Sequence, residues 1–226
     1  NFPQFLCCGS SAMNKSVDRG VLYGRPFGGV MTLIRRNLEK FTKIISATDR
    51  CVIVVVGNVL LCNVYLPCSG TKDRTCICEE ILNNIVYCRS KYPELTCIIG
   101  GDLNTDLNRD DNITSLINRF CMEHRFTRCD LFHGAHVTFC NDALGTESHI
   151  DYFLCSDLSI VSNYDVLDVN LNLSDHVPII INCNTEHFSV SDENQFSNKP
   201  NAESDVSYLR WDRADLDGYF MLTGSY

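Results

Sequence analysis

Ile98-Ile99-Gly100-Gly101-Asp102-Leu103-Asn104 is an apolar run that ends abruptly at a carboxylate and an amide. A short apolar run that stops at glycines is typical of a buried strand. Asp102 and Asn104 then lie at the carboxyl end of that strand, which is the edge of an α/β sheet where ligand sites collect. Because the two residues are two positions apart, we expect their side chains to point the same way. The stretch therefore predicts a strand whose end carries part of a polar site.

Further strands and two helices surround this stretch. Two β-branched runs, Cys51–Val56 and Val59–Tyr65, are joined by Gly57-Asn58, a two-residue hairpin signal. Apolar residues at helical spacing predict helices over 72–89 and Asn112–His124, the second with Asn112 as its N-cap. Strands separated by helices, with acids at the strand ends, favour a layered α/β fold. The other predicted strands are 30–34, 95–99, 137–140, 150–155, 164–169 and 177–182.

The 226 residues suit one sizeable domain followed by a tail. We expect the domain over residues 1–183, a flexible acidic linker over 184–207, and the start of a further region over 208–226. The net charge of −9 argues against a protein that coats nucleic acid, but the segment from Asn184 onward carries eight acidic and three basic residues. The charge of the domain itself is nearly balanced. This charge is compatible with an enzyme that binds a few phosphates and uses carboxylates to hold a metal ion.

Fourteen cysteines are many for an intracellular protein, yet most of them lie inside apolar patterns as small buried residues. Cys7-Cys8 and Cys76-x-Cys78 lack the second pair that a structural zinc site requires, and free thiols fit the pattern better than a disulfide framework. Free thiols favour a reduced, cytoplasmic or nuclear protein. Because no apolar run approaches about 18 residues, we expect no membrane-spanning segment. The cysteines expected in the core are Cys51, Cys62, Cys97, Cys121, Cys155 and Cys183.

Two downstream motifs, Ser148-His149-Ile150-Asp151-Tyr152 and Ser174-Asp175-His176, again place polar residues beside strands. Hydrolysis of a phosphodiester needs an activated water, neutralisation of charge on the phosphoryl oxygens and help for the leaving oxygen. Carboxylates supply the hard oxygen ligands that Mg²⁺ prefers, and an imidazole oriented by a carboxylate can contact phosphate. The residue types therefore predict a phosphodiesterase site. Its candidate residues are Tyr65, Asp102, Asn104, Asp151, Asp175 and His176.

The order of these motifs resembles the endonuclease/exonuclease/phosphatase superfamily, which has the fold of DNase I, over residues 20–183. More narrowly, the chain looks like the endonuclease domain of LINE-type (non-LTR) retrotransposon polyproteins. Gly24-Arg25-Pro26-Phe27-Gly28-Gly29-Val30 before a strand favours that branch, and so does Leu209-Arg210-Trp211-Asp212, which resembles the link toward a reverse transcriptase. The matching pieces are Asn63-Val64-Tyr65-Leu66-Pro67, Gly101-Asp102-Leu103-Asn104, Val137-Thr138-Phe139, His149-Ile150-Asp151-Tyr152 and Ser174-Asp175-His176.

The resemblance implies a four-layer α/β sandwich, in which two mixed or antiparallel sheets lie face to face with helices outside. It also implies a Mg²⁺-dependent endonuclease, with Mn²⁺ as a substitute ion, that acts on DNA beside a downstream reverse transcriptase domain. On the metal side, it places Asp102 and Asn104 at the nucleophilic water and the phosphate, and Asp175 near the ion.

The remaining implied roles concern the phosphate. The position of His176 contacts the scissile phosphate, Asp151 orients that histidine, and Tyr65 stabilises the transition state. Supporting hydrogen bonds or phosphate contacts are expected from Thr138, Ser148 and Ser174.

The chain departs from the family at its start. Family members begin with a strand that carries an Asn, followed by a strand that ends in Gln-Glu, whose Glu is a principal metal ligand. Neither precedes Gly24 here, since Asn14 and Glu39 stand in other contexts. We therefore expect the first strands to be missing and the activity of this fragment to be weak or absent. His149 stands where the retrotransposon branch often has Arg.

Two other functions stay open. One is a different phosphoesterase of the superfamily, acting on a phosphoinositide, a sphingolipid or RNA, although the insertions of those branches are not seen. The other is a decayed or domesticated remnant that binds without catalysis. Arg25, Arg35 and Arg36 are interpreted as solvated surface in preference to DNA contacts. No role is assigned to His124, His133 and His136.

Overall fold

The computed structural model describes residues 3–12, 28–132, 137–141, 145–167, 172 and 174–184. This part of the chain contains two α-helices, α1 (Arg74–Ser90) and α2 (Asn112–His124). Its strands, in chain order, are β1 (Phe5–Ser10), β2 (Val30–Arg35), β3 (Thr42–Ala47), β4 (Cys51–Val56), β5 (Val59–Tyr65), β6 (Thr96–Asp102), β7 (Thr127–Arg128), β8 (Phe139–Asn141), β9 (Thr146–Ser148), β10 (Asp151–Cys155), β11 (Val161–Val166) and β12 (Ile179–Cys183).

A six-stranded sheet in the order β3-β4-β5-β6-β10-β7 forms the centre of the fold. Strands β5 and β6 are parallel, because α1 carries the chain back across the sheet between them, and the other neighbours are antiparallel. The β4–β5 hairpin has the predicted bounds, with Val56 paired to Val59 across Gly57-Asn58. The sheet is therefore mixed, and its central β5–β6 pair brings two carboxyl ends to one edge.

Alternate residues of this sheet face two different cores. Cys62 and Ile99 belong to the core that both helices cover. Their neighbours Leu61 and Ile98 point to the opposite face, which is covered by the strand pairs β1–β2 and β11–β12. Leu61 packs against the cores beneath both pairs. Helices, central sheet and strand pairs are thus three layers of a DNase I-like α/β sandwich.

Helix α2 occurs at the predicted bounds, but a neighbouring residue caps it. The Asp111 carboxylate accepts a hydrogen bond of 2.7 Å from the Thr114 backbone N–H, so Asp111 is the N-cap. The prediction of Asn112 as the cap is wrong, since Asn112 is the first helical residue. The helix ends at His124, and its C-cap Arg125 adopts the left-handed conformation with φ 55°. An aspartate outside the helix satisfies the free N–H groups as well as an asparagine would.

Four strands were not predicted from the sequence, the short strands β7 and β9 and the longer strands β1 and β3. The first strand predicted from the sequence begins at residue 30, yet β1 runs through Gly9 to Ser10 and pairs antiparallel with β2. A Cβ on Gly9 would lie 2.3 Å from the Val30 carbonyl oxygen, so close approach of the two strands requires glycine there. Strand β3 is an edge strand with mixed exposure and lacks a regular alternation. Strands β1 and β3 depend on their partners more than on their own pattern.

Some sequence predictions lie partly or wholly outside the described residues. They include the linker over 184–207 beyond Asn184, the region over 208–226, the end of the strand predicted over 164–169, and Arg25. All fourteen cysteines are free thiols. Four of the six cysteines expected in the core are buried, and Cys121 and Cys183 are half-buried. In the residues that the structure describes, no helix is long and apolar enough to cross a membrane.

Candidate active site

Tyr65, Asp102 and Asp151 form one row across three neighbouring strands. Tyr65 on β5 is the register partner of Asp102 on β6, and Asp102 is the partner of Asp151 on β10. Register partners point to the same face of a sheet. This row lies on the face opposite the helices, at the edge where β5 and β6 end and β10 begins. Three residues that are distant in the sequence are therefore brought side by side.

Asp102 and Asp151 form a non-hydrogen-bonded antiparallel pair. The Leu103 backbone N–H donates to the Ile150 carbonyl at 2.8 Å. This bond flanks Asp102 and Asp151, so the N–H and C=O groups of these two residues point away from each other. Such pairs bring the two Cα atoms to about 4.5 Å, which is closer than in hydrogen-bonded pairs. Burial, reinforced by the negative charge of Asp151, raises the pKa of Asp102 to about 6. The row thus holds a carboxyl group that titrates close to neutral pH.

Glycines 100 and 101 are required because the strand continues through them. The strand was predicted to end at Ile99, but β6 runs on to Asp102 itself. A Cβ on Gly100 would lie 2.4 Å from the Phe153 ring. A Cβ on Gly101 would lie 2.0 Å from the Val64 carbonyl oxygen, and its φ of +140° is one that L side chains rarely adopt. The glycine pair therefore allows Asp102 to stay in register with β5 and β10.

Asn104 reaches Asp102 through a turn and not by strand alternation. Its φ of 51° is left-handed, a conformation that asparagine tolerates. Its backbone N–H donates to Asp102 Oδ1 at 2.7 Å, and its side-chain Nδ2 donates to Asp102 Oδ2 at 2.9 Å and to the Leu66 carbonyl at 2.8 Å. The Asp102 carboxylate is consequently fixed from two sides by one residue.

His176 approaches the row from the segment before β12. Its Nδ1 lies 2.9 Å from Asp151 Oδ2, and its ring meets the Phe139 ring edge-on at 5.1 Å. An ionised carboxylate only accepts hydrogen bonds, so Nδ1 donates and Nε2 is left for another group. The hydrogen bond to Asp151 raises the pKa of His176. This pair is a carboxylate-oriented histidine beside a second carboxyl group.

The three hydroxyl residues expected to support the site occupy different positions. Thr138 is fully buried, and its Oγ1 accepts hydrogen bonds from the backbone N–H groups of Ile150 and Asp151 at 3.0 and 3.1 Å. Ser174 Oγ accepts from the His176 backbone N–H at 3.1 Å. Ser148 contributes its carbonyl oxygen, which accepts from the Thr138 N–H at 3.0 Å. Thr138 and Ser174 therefore brace the backbones of Asp151 and His176.

The oxygen donors at this edge fit a hydrated divalent cation. Asp102 and Asp151 present two carboxyl groups on one face, and Asp175, next to His176, is exposed and contributes to the raised pKa of Asp102. Among the described residues, no group of three or more His, Cys, Asp or Glu side chains could hold a metal ion by itself. Mg²⁺ commonly binds through one or two carboxylates and keeps several waters. The donor set therefore suits Mg²⁺ better than an ion that needs a full protein cage.

Two arginines that the sequence did not single out contact the site loops. The Arg74 guanidinium donates to the Pro67 carbonyl at 2.8 Å, the Asn104 carbonyl at 2.6 Å and Thr105 Oγ1 at 2.8 Å. The Arg50 guanidinium lies 5.2 Å from the centre of the Tyr65 ring. No sequence motif predicts either contact, because the fold determines which carbonyls and which ring lie near these arginines.

Those other basic residues weighed from the sequence that the structure describes contact residues outside the row. The guanidinium of Arg35 lies 5.8 Å from the centre of the Phe5 ring, and Arg36 binds the Pro3 carbonyl and Glu39. The His124 ring packs on Phe120. Arg25, His133 and His136 lie outside the described residues.

The central sheet, its helix layer and the row of polar residues define a DNase I-like α/β protein. The model of the Endonuclease/Exonuclease/phosphatase family matches residues 5–176. The chain belongs to this family, whose enzymes are nucleases and phosphatases that depend on a divalent metal ion. No curated protein matches the chain significantly.

Several solved structures share the fold at low sequence identity. The endonuclease domain of TRAS1, a telomere-specific non-LTR retrotransposon, is 18% identical with a TM-score of 0.57, and the match covers 78% of this chain and 80% of that one. The 3′ phosphatase NExo from Neisseria, bound to a product DNA hairpin, is 14% identical with a TM-score of 0.57 and 80% coverage of both chains. A family protein from Bacteroides thetaiotaomicron is 17% identical with a TM-score of 0.53, covering 79% of this chain and 74% of that chain.

Proposed function

We propose that this chain hydrolyses phosphodiester bonds in DNA with the help of Mg²⁺. The observation that carries the proposal is the row of Asp102 and Asp151 with His176 hydrogen-bonded to Asp151 at the end of the row. This row combines a carboxyl group that titrates near neutral pH with a histidine whose pKa is raised. A base for water and a positively charged donor for phosphate are the two groups that such a hydrolysis needs.

In the proposed reaction, Asp102 and Asn104 orient the attacking water, and the Asp102 carboxylate accepts its proton. Burial and Asp151 raise the pKa of Asp102 to about 6 in the absence of a metal ion, and coordination to Mg²⁺ would keep this carboxylate ionised and able to accept the proton. Asp151 keeps the His176 ring turned so that, when the ring is protonated on both nitrogens, its Nε2–H donates to a phosphate oxygen. The Tyr65 phenol, at the other end of the row, donates to the phosphoryl oxygens as charge develops on them.

The metal side of the proposal rests on Asp102, Asn104 and Asp175, which would hold Mg²⁺, with Mn²⁺ as a substitute. When bound, the ion supplies positive charge to the phosphoryl oxygens. We expect weak binding and weak activity, because the described residues include no cluster of three acidic, histidine or cysteine side chains that encloses a cation. Waters and the substrate phosphate would have to supply most of the ligands.

DNA is proposed as the substrate because of the relatives and the site together. One similar structure is a retrotransposon endonuclease domain, and another is bound to a DNA hairpin. The resemblance of Leu209-Arg210-Trp211-Asp212 to a link toward a reverse transcriptase supports a polyprotein origin, with that domain as the partner.

The test is nicking of supercoiled plasmid by the full chain in Mg²⁺, in Mn²⁺ and in EDTA. We expect slow conversion to the open circular form in either metal and none in EDTA. Asp102→Ala should abolish the conversion, whereas Asp110→Ala, a change at an exposed aspartate, should leave it unchanged. Equal and negligible rates for wild type and Asp102→Ala would contradict the proposal and favour a non-catalytic remnant. Release of phosphate from an inositol phosphate without nicking would favour another phosphoesterase of the family.

A further inference from the structure

His149 is a buried titratable residue that the proposed reaction does not use. Its side chain is only 5% exposed, and it precedes Asp151 by two residues. A buried imidazole needs hydrogen-bond partners to offset the loss of water. The hydrogen-bond partner of the His149 ring is the backbone carbonyl of Asp151, a member of the row.

The backbone N–H and C=O of Asp151 make no hydrogen bonds to a neighbouring strand among those that the structure describes. Because Asp102 and Asp151 form a non-hydrogen-bonded pair, the N–H and C=O of Asp151 point away from β6. On that other side β7 pairs only with Leu154 and Cys155, and so does not reach Asp151. Side chains take the place of a strand there, since Thr138 Oγ1 accepts from the Asp151 N–H and His149 Nε2 lies 3.1 Å from the Asp151 carbonyl oxygen.

The His149 ring is itself fixed by a polar and aromatic cluster. It stacks on the Tyr152 ring, with centroids 4.2 Å apart and planes at 10°. Its Nδ1 lies 4.0 Å from the Asp130 carboxylate, which is held by Arg128 through Nε at 3.1 Å and through Nη2. The Arg128 guanidinium lies 5.0 Å from the centre of the Tyr152 ring on which His149 stacks. Stacking on Tyr152 therefore fixes the plane of the ring, whereas Asp130 lies beyond hydrogen-bond distance of Nδ1.

The hydrogen bond to Asp151 also determines which nitrogen carries the proton. A carbonyl oxygen only accepts, so Nε2 must donate. Burial lowers the pKa of His149, which favours the neutral ring, and its single proton then lies on Nε2. His176 has the opposite arrangement, with its proton on Nδ1 toward the Asp151 carboxylate. The two histidines thus contact the two ends of one aspartate.

We propose that His149 is a positioning residue whose Nε2–H holds the Asp151 carbonyl, so that the Asp151 carboxylate stays within hydrogen-bond reach of His176 Nδ1. The catalytic consequence rests on the proposed function, but the effect on His176 does not. Removing the Nε2 donor leaves the Asp151 carbonyl without its partner on the open side of β10, where Thr138 still holds the Asp151 N–H. The Asp151 side chain then loses its fixed direction, and the His176 ring loses the contact that selects its tautomer.

The test compares His149→Phe, which keeps the stacked ring without the donor, with His149→Gln, which restores a side-chain N–H. His124→Phe is the matched control, because His124 packs on Phe120 away from the row. At a pH above the titration of both rings, located from the ¹⁵N chemical shifts themselves, these shifts should show His176 as the Nδ1–H tautomer in wild type and in His149→Gln. In His149→Phe we expect a shift toward the Nε2–H tautomer, which free histidine prefers, and the control should resemble wild type.

The kinetic readout is nicking of plasmid in Mg²⁺. His149→Phe should lower kcat about ten- to a hundred-fold with little change in KM, and His149→Gln should recover most of it. A folded His149→Phe protein with an unchanged His176 tautomer would overturn the proposal. If His149→Phe does not fold, the wild-type spectrum decides, since a His149 proton on Nδ1 would also overturn it. A wild type that fails to nick DNA contradicts the proposed function alone and leaves the tautomer measurement valid.

Discussion

Asp102 and Asp151 face each other across β6 and β10 with their backbone groups turned apart and their carboxyl groups on the same face. This arrangement brings two like charges together in a partly buried place. The fold tolerates it because Asn104 donates twice to Asp102 and His176 donates to Asp151. The two carboxylates thus repel each other, and binding of a cation or of a proton reduces this repulsion.

The raised pKa of Asp102 predicts a specific pH dependence of stability in the metal-free protein. Because the folded pKa of about 6 lies above the unfolded value, the folded state binds the proton more tightly. The contribution of Asp102 is therefore largest below about pH 4 and is lost as the pH rises to about 6. Urea unfolding in EDTA measures how far the free energy of unfolding falls between pH 4.5 and pH 7.5. This fall should be smaller by ~2 kcal/mol in Asp102→Asn than in wild type. Parallel pH profiles for the two proteins would contradict the shift.

Loss of the aspartate that orients His176 should affect catalysis more than folding. Asp151→Asn replaces a charged acceptor with an amide that no longer favours the protonated ring. We expect plasmid nicking to fall about 10²-fold or more, with an unfolding midpoint close to wild type. Asp110→Asn, at an exposed site before α2, is the control and should nick at the wild-type rate.

The close approach at Gly101 makes that position intolerant of any side chain. Gly101→Ala combines a φ of +140° with a Cβ 2.0 Å from the Val64 carbonyl oxygen, so β6 must move away from β5. The free energy of unfolding should drop by more than about 2 kcal/mol. Gly70→Ala separates the two causes, because Gly70 has φ +84° and nothing within 4 Å of its added Cβ. It should cost only about 1 kcal/mol, and an equal loss at both positions would exclude the steric explanation.

The N-cap of α2 can be located by paired substitutions. Asp111→Ala removes the carboxylate that accepts from Thr114 N–H and should cost about 1 kcal/mol in urea unfolding. Asn112→Ala changes the first helical residue and should cost clearly less. A larger loss in Asn112→Ala than in Asp111→Ala would instead identify Asn112 as the N-cap, as the sequence predicted.

Arg74 should stabilise the site loops through its three hydrogen bonds. Arg74→Met keeps much of the aliphatic length but leaves the carbonyls of Pro67 and Asn104 without their donor. We expect a loss of roughly 1–3 kcal/mol together with slower nicking. Arg119→Met tests whether loss of an exposed arginine destabilises the protein equally, because the ion pair of Arg119 with Glu79 is exposed and 3.8 Å long. Its expected loss is below about 0.5 kcal/mol.

Local patterns predicted the elements whose own residues specify them. The β4–β5 hairpin and helix α2 have the predicted bounds, because a Gly57-Asn58 turn and an apolar stripe are local signals. The end of β6 was misplaced because glycines usually interrupt strands. Here Gly100 is covered by Phe153 and Gly101 by the β5 backbone, which only the folded sheet reveals.

The candidate site was predictable as a set of residues but not as an arrangement. Asp102, Asp151 and His176 each stand in a recognisable motif, whereas their alignment in one row depends on the register of three strands. Arg74 and His149 were missed as contributors because both act on backbone carbonyls. Which carbonyl lies within reach of a side chain is decided by tertiary pairing and leaves no pattern in the sequence.

The row of Tyr65, Asp102 and Asp151 also has a kinetic consequence. Its three members belong to strands that are separated by α1 and α2 along the chain, and one of the two strand contacts is parallel. Non-local and parallel pairings incur loop-closure entropy before their contacts form, so they are slow steps in refolding. Recovery of cleavage after dilution from denaturant should therefore lag behind the return of helical circular dichroism. The interval between the two signals would time the final assembly of the sheet.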